Sequence, residues 1–424
     1  MTSNFYRRDT CRLCSGKDLM RVLPLSPSAL CDAYITKEHL HETQELFPLE
    51  LFMCRECGYV FLPYVVDPEV IYRDYIYVST SSMGLADHFG KYAAHVHGRL
   101  KLAAGDLAVD IGSNDGTLLQ AFKKLGMQVL GVEPAREIAK SATDRGVLTL
   151  PEFFDTPLAV KMAREHGKAS LITINNLFAN IDDLQEVTRG VSELLAPEGV
   201  LVIESSYLAD MIQNMVFDFA YHEHLSYFSL KPLVSFFRRF GLEVFDVERV
   251  GTKGGSMRYY VRKAGGKREV SSAVAELLGY EERLGLYGEE LYLKFRERID
   301  DCKKELIELL QRLKSEGKSI AAYGGSATST TLIYHFGLAP FLEYIVDDNP
   351  AKQHTYSPGY HIPVLPSAEL YNRKPDCTVV LAWRYCEPII AKHKAYLDGG
   401  GRFLVPIPRM RIIDSAAAGS GSAN

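Results

Sequence analysis

Two hydrophobic patterns take turns along this chain. Between about 105 and 263, short apolar runs alternate with stretches whose apolar residues recur every three to four positions. The runs 107–110, 128–133, 170–175, 199–205, 242–248 and 256–262 read as strands, several of them apolar enough for the middle of a parallel sheet. The stretch 117–125 reads as a helix, because Leu118, Leu119, Phe122 and Leu125 share one helical face. Such alternation predicts an α/β sheet. Residues 85–103 form a helix leading into it, and residues 270–316, charged and Leu-rich, have the spacing of a helical connector. From 318 the alternation resumes, with strands expected at 319–323, 341–346 and 377–383. The last ten residues, Ser415-Ala-Ala-Ala-Gly-Ser-Gly-Ser-Ala-Asn, are low in complexity and expected to be disordered. The chain therefore divides into an N-terminal module at 1–75, an α/β domain at 76–265, a connector at 266–317, a second α/β domain at 318–412 and a tail at 413–424.

The first domain turns on Leu107-Ala-Val-Asp110-Ile-Gly112-Ser113-Asn114-Asp-Gly116, a buried strand running into a tight polar turn before a helix. Gly112 and Gly116 lack a Cβ and let a ligand approach the backbone. The next strand stops at Glu133, placed to accept hydrogen bonds from ribose hydroxyls. A dinucleotide site would show G-x-G-x-x-G to seat a pyrophosphate. Here an Asp precedes the first Gly and polar residues follow it, which suits a ligand with an amino-acid end. The stretch resembles the first motif of class I S-adenosylmethionine (SAM) methyltransferases, D-x-G-x-x-x-G. Phe153, beside Phe154, falls where a contact to adenine would lie. Asn175 and Asn176 follow an apolar strand and sit at its carboxyl end, where open α/β sheets bind ligands.

With 424 residues, two or three domains are expected, and a hydrophobic fraction of 47% supports sizeable cores. A net charge of −5 offers no basic field for nucleic acid or an anionic membrane. No apolar run approaches the roughly 20 residues that span a bilayer. The first residues, Met-Thr-Ser-Asn-Phe-Tyr-Arg-Arg, lack the apolar core of a signal peptide, so a reducing cytoplasm is the expected setting. There the pairs Cys11-x-x-Cys14 and Cys54-x-x-Cys57 are expected to hold one tetrahedral Zn²⁺. Four Cys ligands leave no open position, which makes that zinc structural. Cys31 between them reads as a core thiol.

The densest chemistry lies in 217–228, where Tyr221-His222-Glu223-His224 precedes Leu-Ser-Tyr. Histidine titrates nearest neutrality, and Tyr221 and His224, three apart, share a face on a helical turn. Adjacent His222, Glu223 and His224 lack metal-ligand spacing. Tyr75 belongs to a tyrosine cluster (Tyr72, Tyr75, Tyr77) running into Ser/Thr residues that can line a polar pocket. Lys253-Gly254-Gly255-Ser256 precedes a strand, marking a bulge or a close backbone approach to a ligand. In the second α/β domain, Tyr323-Gly324-Gly325-Ser326 opens a helix and offers an anion site. The next strand runs into Asp347-Asp348-Asn349-Pro350, followed by Lys352, and its acid can again bind ribose.

The order of parts is similar to the nucleotide-sugar C-methyltransferases of deoxysugar biosynthesis, such as the tetronitrose and noviose C-methyltransferases. The resemblance covers about Cys11 to Pro408. It implies an α/β fold with a zinc-binding N-terminal module, a central class I methyltransferase Rossmann-like domain and a C-terminal Rossmann-like domain holding the nucleotide sugar. It also implies SAM as donor and a nucleoside-diphosphate 4-keto-6-deoxysugar as substrate, methylated at C-3. On this reading His224 is the base, Tyr221 and Glu223 orient it, and Tyr221, Tyr75 or Asn180 donates to the enolate oxygen. Three positions depart from the family: Asn180 where a His is frequent, Lys253 where a His precedes Gly-Gly-Ser, and Thr328-Ser329 where Lys-Gly is common. The first moves the base onto His224. Sugar O-methylation is the alternative reaction, and a zinc-ribbon modifier of nucleic acid is the alternative of another class. A monomer or weak oligomer is expected, without nucleic acid or membrane as partner.

Overall fold

The computed structural model describes residues 4–67, 71 and 85–418. At the N-terminus, β1 (Phe5–Arg7), β2 (Leu19–Ser28), β3 (Phe47–Cys54), β4 (Val60–Phe61) and β5 (Tyr64–Val66) follow one another. On β3 the inward positions Phe47, Leu49, Leu51 and Met53 are buried and those between them half-buried, the period-two signature of a sheet with one covered face. β2 and β3 are antiparallel, and β4 lies beside β3.

Helix α1 (Leu85–Leu100) lays Tyr92, Ala93, Val96 and Leu100 on the central sheet. That sheet is built from β6 (Leu107–Ile111), β7 (Gln128–Val132), β8 (Thr149–Leu150), β9 (Ala169–Asn175) and β10 (Leu195–Ser206). After β10 the chain leaves the sheet, and β11 (Ser226–Tyr227) pairs with β4 of the N-terminal sheet. It then returns as β12 (Leu242–Val250) and β13 (Ser256–Lys263). Counted within the central sheet, the order is 3-2-1-4-5-7-6, and β13 runs antiparallel to both its neighbours. Every residue of β6 is buried, as an apolar run covered on both faces requires. Helix α2 (Thr117–Lys124) follows the glycine turn and buries Leu118, Leu119 and Phe122.

The connector is two helices, α3 (Ser272–Leu284) and α4 (Glu289–Ser315). On α4 the buried residues Tyr292, Phe295, Ile299, Cys302, Leu306, Leu310 and Leu313 keep three- and four-residue spacing. The last sheet has β14 (Ile320–Tyr323), β15 (Ile345–Asp347), β16 (Val364–Pro366), β17 (Cys377–Val380), β18 (Arg402–Val405) and β19 (Arg411–Ile413). Its order is β16-β15-β14-β17-β18-β19, parallel except for β19, so the chain direction switches between β14 and β17. Helix α5 (Ala327–Phe336) opens after β14.

Some elements differ from the sequence reading. The strand expected at 341–346 begins only at Ile345, because Ala339–Phe341 forms a 3-10 turn around Pro340, which fixes φ and has no N–H for a ladder. The strand expected at 377–383 stops at Val380. The described part of the expected tail at 413–424 is ordered: Ile413 pairs with Phe403, and Ser415–Ala418 makes a helical turn, as alanine favours. The two-residue β8 was too short for periodicity to show.

Candidate functional site

At the carboxyl end of β6 the chain enters Gly112 with φ +75°, passes Asn114 at φ +47° and leaves through Gly116 at φ +75°. Left-handed backbone at these positions is cheap only for glycine and tolerable for asparagine. The turn is braced from the neighbouring strand. Gly112 and Ser113 donate their N–H groups to the Val132 carbonyl at 2.8 and 3.1 Å. The Glu133 carboxylate accepts from the Asn114 N–H at 3.1 Å and from the Ala135 N–H at 3.0 Å. Asp110 is buried and accepts the Thr173 hydroxyl at 2.6 Å. Burial pushes its carboxyl up to about 7; the Thr173 bond works against that, and the Glu133 charge adds to it.

Beside this turn β9 ends in Asn175, whose side-chain amide N and O are both buried without a partner, as is the Ser113 hydroxyl oxygen. Buried polar groups cost free energy unless bonded. The orphaned amide after β9 and the hydroxyl in the turn after β6 fit a polar ligand held beside this turn. Phe153 is 67% exposed, while its neighbour Phe154 packs in the core.

From Asn175 the chain runs directly into a second space. Asn176, Ala179, Ser205, Ser206, His224 and the Gly254-Gly255 turn are among the residues lining a partly open cleft. The two glycines have φ +89° and +129°. A side chain at Gly255 would collide with Asp210, which is held by Arg249. Lys253 belongs to the same turn (Thr252–Gly254). Ser256 is buried and donates to the Thr252 carbonyl at 3.0 Å, so it shapes the turn instead of facing the cleft.

Tyr221 and His224 come together as their spacing suggested. The His224 N–H donates to the Tyr221 carbonyl at 2.9 Å, and the two rings lie 4.1 Å apart. His224 Nδ1 is 2.9 Å from the Phe219 carbonyl oxygen. A carbonyl only accepts, so in the neutral ring the proton sits on Nδ1 and Nε2 carries the lone pair. His222 points the other way. It is buried, donates to the Phe47 carbonyl at 3.2 Å, and burial lowers its pKa to about 4, which makes it a neutral core group. Glu223 lies near Cys31, whose thiol is pushed up by burial and then by the charges of Asp32 and Glu223. The Asn180 side-chain oxygen is buried without a partner, one residue from Ala179 of the cleft. Tyr75 lies outside the described residues.

In the last domain the same acid brace recurs. The Asp347 carboxylate accepts from the Gly325 N–H at 2.6 Å and the Asn349 N–H at 2.7 Å, as Glu133 does for its own turn. Gly324, at φ +100°, allows that turn, and Ser326 and Ser329 form a capping box at the start of α5. Lys352 bonds the Gly325 carbonyl at 2.6 Å and Asp32 at 2.5 Å. Tyr323 is engaged within the protein, giving its hydroxyl proton to Asp348 at 2.7 Å and meeting His393 Nε2 at 3.0 Å.

The four cysteines Cys11, Cys14, Cys54 and Cys57 converge, with all sulfurs within 4.8 Å. Cys11 and Cys57 are 3.7 Å apart, and Cys14 and Cys54 3.5 Å. A disulfide would bring two sulfurs to about 2.05 Å. A tetrahedron of Zn–S bonds of about 2.3 Å sets its sulfurs about 3.8 Å apart, so the donor set fits zinc. Sequence reasoning missed what holds this knuckle to the cleft. Arg12, between the first two cysteines, is only 1% exposed. It donates to Asp182 at 2.8 Å and to the carbonyls of Leu62 at 2.7 Å and Leu225 at 3.2 Å, the last being the residue after His224. Ser205 and Ser206 were missed too, although their place at the end of a predicted strand pointed to them.

A 3-2-1-4-5-7-6 sheet with an acid-braced glycine turn at the carboxyl end of its first strand is the architecture of an SAM-dependent methyltransferase. Three family models match along the chain: "Putative zinc binding domain" over residues 11–72, "Methyltransferase domain" over 87–247 and "C-methyltransferase C-terminal domain" over 251–408. The C-methyltransferase NovU of Streptomyces niveus is 36% identical over 408 residues, covering 96% of this chain and 97% of that protein. The chain belongs to the SAM-dependent C-methyltransferase family. Among solved structures, a SAM-dependent methyltransferase from Clostridium acetobutylicum is 15% identical, covering 46% of this chain and 96% of that one with a TM-score of 0.34. The CcbJ methyltransferase from Streptomyces caelestis is 16% identical, covering 42% of this chain and 90% of that one with a TM-score of 0.33.

Proposed function

We propose that this enzyme methylates C-3 of a nucleoside-diphosphate 4-keto-6-deoxysugar, with His224 as the base. One observation carries the reading: His224 lines the cleft together with Asn176, the residue after β9, and the Phe219 carbonyl fixes its tautomer so that Nε2 can accept a proton. A proton next to a ketone is acidic because the resulting carbanion delocalises into an enolate. His224 Nε2 takes the C-3 proton, and the Tyr221 ring packed on the imidazole limits its rotation. Hydrogen-bond donors are needed for the enolate oxygen, and the sequence reading assigns that part to Tyr221, Tyr75 or Asn180. Asp110, Gly112, Ser113, Asn114, Gly116, Glu133, Asn175 and Asn176 hold SAM, which supplies the methyl group when bound. The rate gain comes chiefly from placing C-3 and the methyl in line, since effective molarities reach about 10⁵ M or more. Methylation on carbon is supported by the likeness to a C-methyltransferase matched over 97% of its length, and the deoxysugar substrate is what the family resemblance of the sequence implies. The nucleotide is assigned to the last domain on the recurrence of the braced turn, Asp347 standing where Glu133 stands in the first.

The test is to incubate the enzyme with SAM and a panel of thymidine- and guanosine-linked 4-keto-6-deoxysugars in heavy water. A methyl on carbon, with deuterium entering C-3 of unreacted sugar, is the expected result. A methyl on oxygen would refute the enolate route while leaving the SAM site intact.

A further inference from the structure

The loop after β17 crosses from the last domain to the methyltransferase cleft. Trp383 is 7% exposed and donates its indole N–H to Asp218 at 2.9 Å, so the loop is anchored on the segment that also carries His224. The next residue is Arg384. Its guanidinium carbon lies 4.2 Å from the centre of the Phe219 ring, and Phe219 lines the cleft. Its side chain also borders Gly254: a Cβ built there would lie 3.5 Å from Arg384 Cδ. Arg384 thus stands at the rim where two domains meet. It also follows β17 at the point where the direction of the last sheet switches, the place where open α/β sheets receive ligands.

Its distance from the proposed chemistry suits one part of the substrate. His224 and Arg384 both lie against Phe219, at 5.6 Å between rings and 4.2 Å from ring centre to guanidinium carbon, so they are at most about 10 Å apart. In a sugar nucleotide, C-3 is separated from the first phosphorus by four bonds of ~1.5 Å, a span of no more than about 6 Å. Reacting atoms sit about 3–3.5 Å from the group that acts on them. With C-3 at His224, the diphosphate falls within reach of Arg384. The arginines flanking the Gly254-Gly255 turn on the methyltransferase side are held by carboxylates, Arg249 by Asp210 and Arg258 by Glu204, and the charge of Arg384 itself acts on the buried Asp218 carboxyl. A planar guanidinium suits a diphosphate because it donates two parallel hydrogen bonds.

We infer that Arg384 is the diphosphate-binding residue of the substrate site, supplied by the last domain to the cleft of the central one. The inference rests on the sugar-nucleotide reading above. The test measures the affinities of thymidine and guanosine 5′-diphosphates and 5′-monophosphates for the wild type and for Arg384→Met, by calorimetry. The wild type is expected to prefer the diphosphate, and Arg384→Met to lose about 10- to 100-fold of that preference, the loss of a hydrogen-bonded charge. SAM affinity should stay constant, which reports an intact fold. Arg384→Lys keeps the charge without the fork and should retain part of the preference. Arg384→Gln repeats the measurement should methionine disturb the packing on Phe219. An undiminished preference in the neutral variants would overturn the role of Arg384 and leave the sugar-nucleotide reading in place. A wild type that binds neither nucleotide would remove that reading and the role of Arg384 with it.

Discussion

The Phe219 carbonyl 2.9 Å from His224 Nδ1 leaves the neutral imidazole with its lone pair on Nε2, which the proposed role as base requires. His224→Asn removes that lone pair while filling similar space. Turnover should fall by about 10²–10⁴-fold with SAM affinity unchanged; near-normal turnover in a folded variant would refute the assignment. Asp110 carries a second residue-scale consequence. Burial raises its folded carboxyl to about 7, while in the unfolded chain it returns to the ordinary 3.8. Between these values the native state holds a proton that the unfolded chain has released. Its contribution to stability is complete below the unfolded value and fades as pH rises through the folded one. The cofactor-free enzyme should lose up to about 1.4 kcal/mol per pH unit from this group between roughly pH 4 and 7. Asp110→Asn, which mimics the protonated form, should flatten that part of a denaturation-versus-pH series.

Among the elements, the glycine turn after β6 is shaped by its neighbours as much as by its own sequence. Gly112 has φ +75°, and a Cβ there would meet Leu177 Cδ2 at 2.5 Å. Gly112→Ala combines a left-handed strain of about 1–2 kcal/mol with that collision. SAM binding should weaken about tenfold or more, read by calorimetry. Adding Leu177→Ala should recover part of the loss, because it removes the collision and leaves the strain. The motif at 107–116 showed a turn and a ligand of amino-acid character. That Leu177, beyond the end of β9, closes over it depends on strand order, which local periodicity does not report. Likewise Ser256 was legible as part of a Gly-Gly-Ser turn, but its inward direction is set by pairing with Ser206 and Val250 on either side.

For the whole molecule, the zinc knuckle and the cleft form one mechanical unit. Arg12 ties the first cysteine pair to Asp182 and to the Leu225 carbonyl, and β11 carries the chain after His224 into the N-terminal sheet. One zinc per chain is expected by elemental analysis. Stripping it with a strong chelator should abolish methyl transfer together with the cooperative unfolding of the N-terminal sheet, since thiolate binding contributes directly to folding. Retained turnover after complete zinc loss would show that the knuckle does not support the cleft. Among the described residues no helix is long and apolar enough to cross a membrane.

Read alone, the sequence determines those properties that arise between near neighbours in the chain. The apolar runs of the central sheet, the C-x-x-C pairs, the Gly112–Gly116 turn with its acid one strand later, and Tyr221 beside His224 are all spacings of a few residues, which backbone geometry converts directly into shared faces. Tertiary structure alone decided the rest. It turned His222 into the core and His224 to the cleft, placed Ser226–Tyr227 in a sheet begun about 200 residues earlier, and brought Arg12 and Arg384 from opposite ends of the chain to the segment around His224. Those contacts depend on which surfaces fold against each other. The free energy that selects them comes from burying long-range apolar area and satisfying buried polar groups, and neither leaves a periodic mark in the sequence.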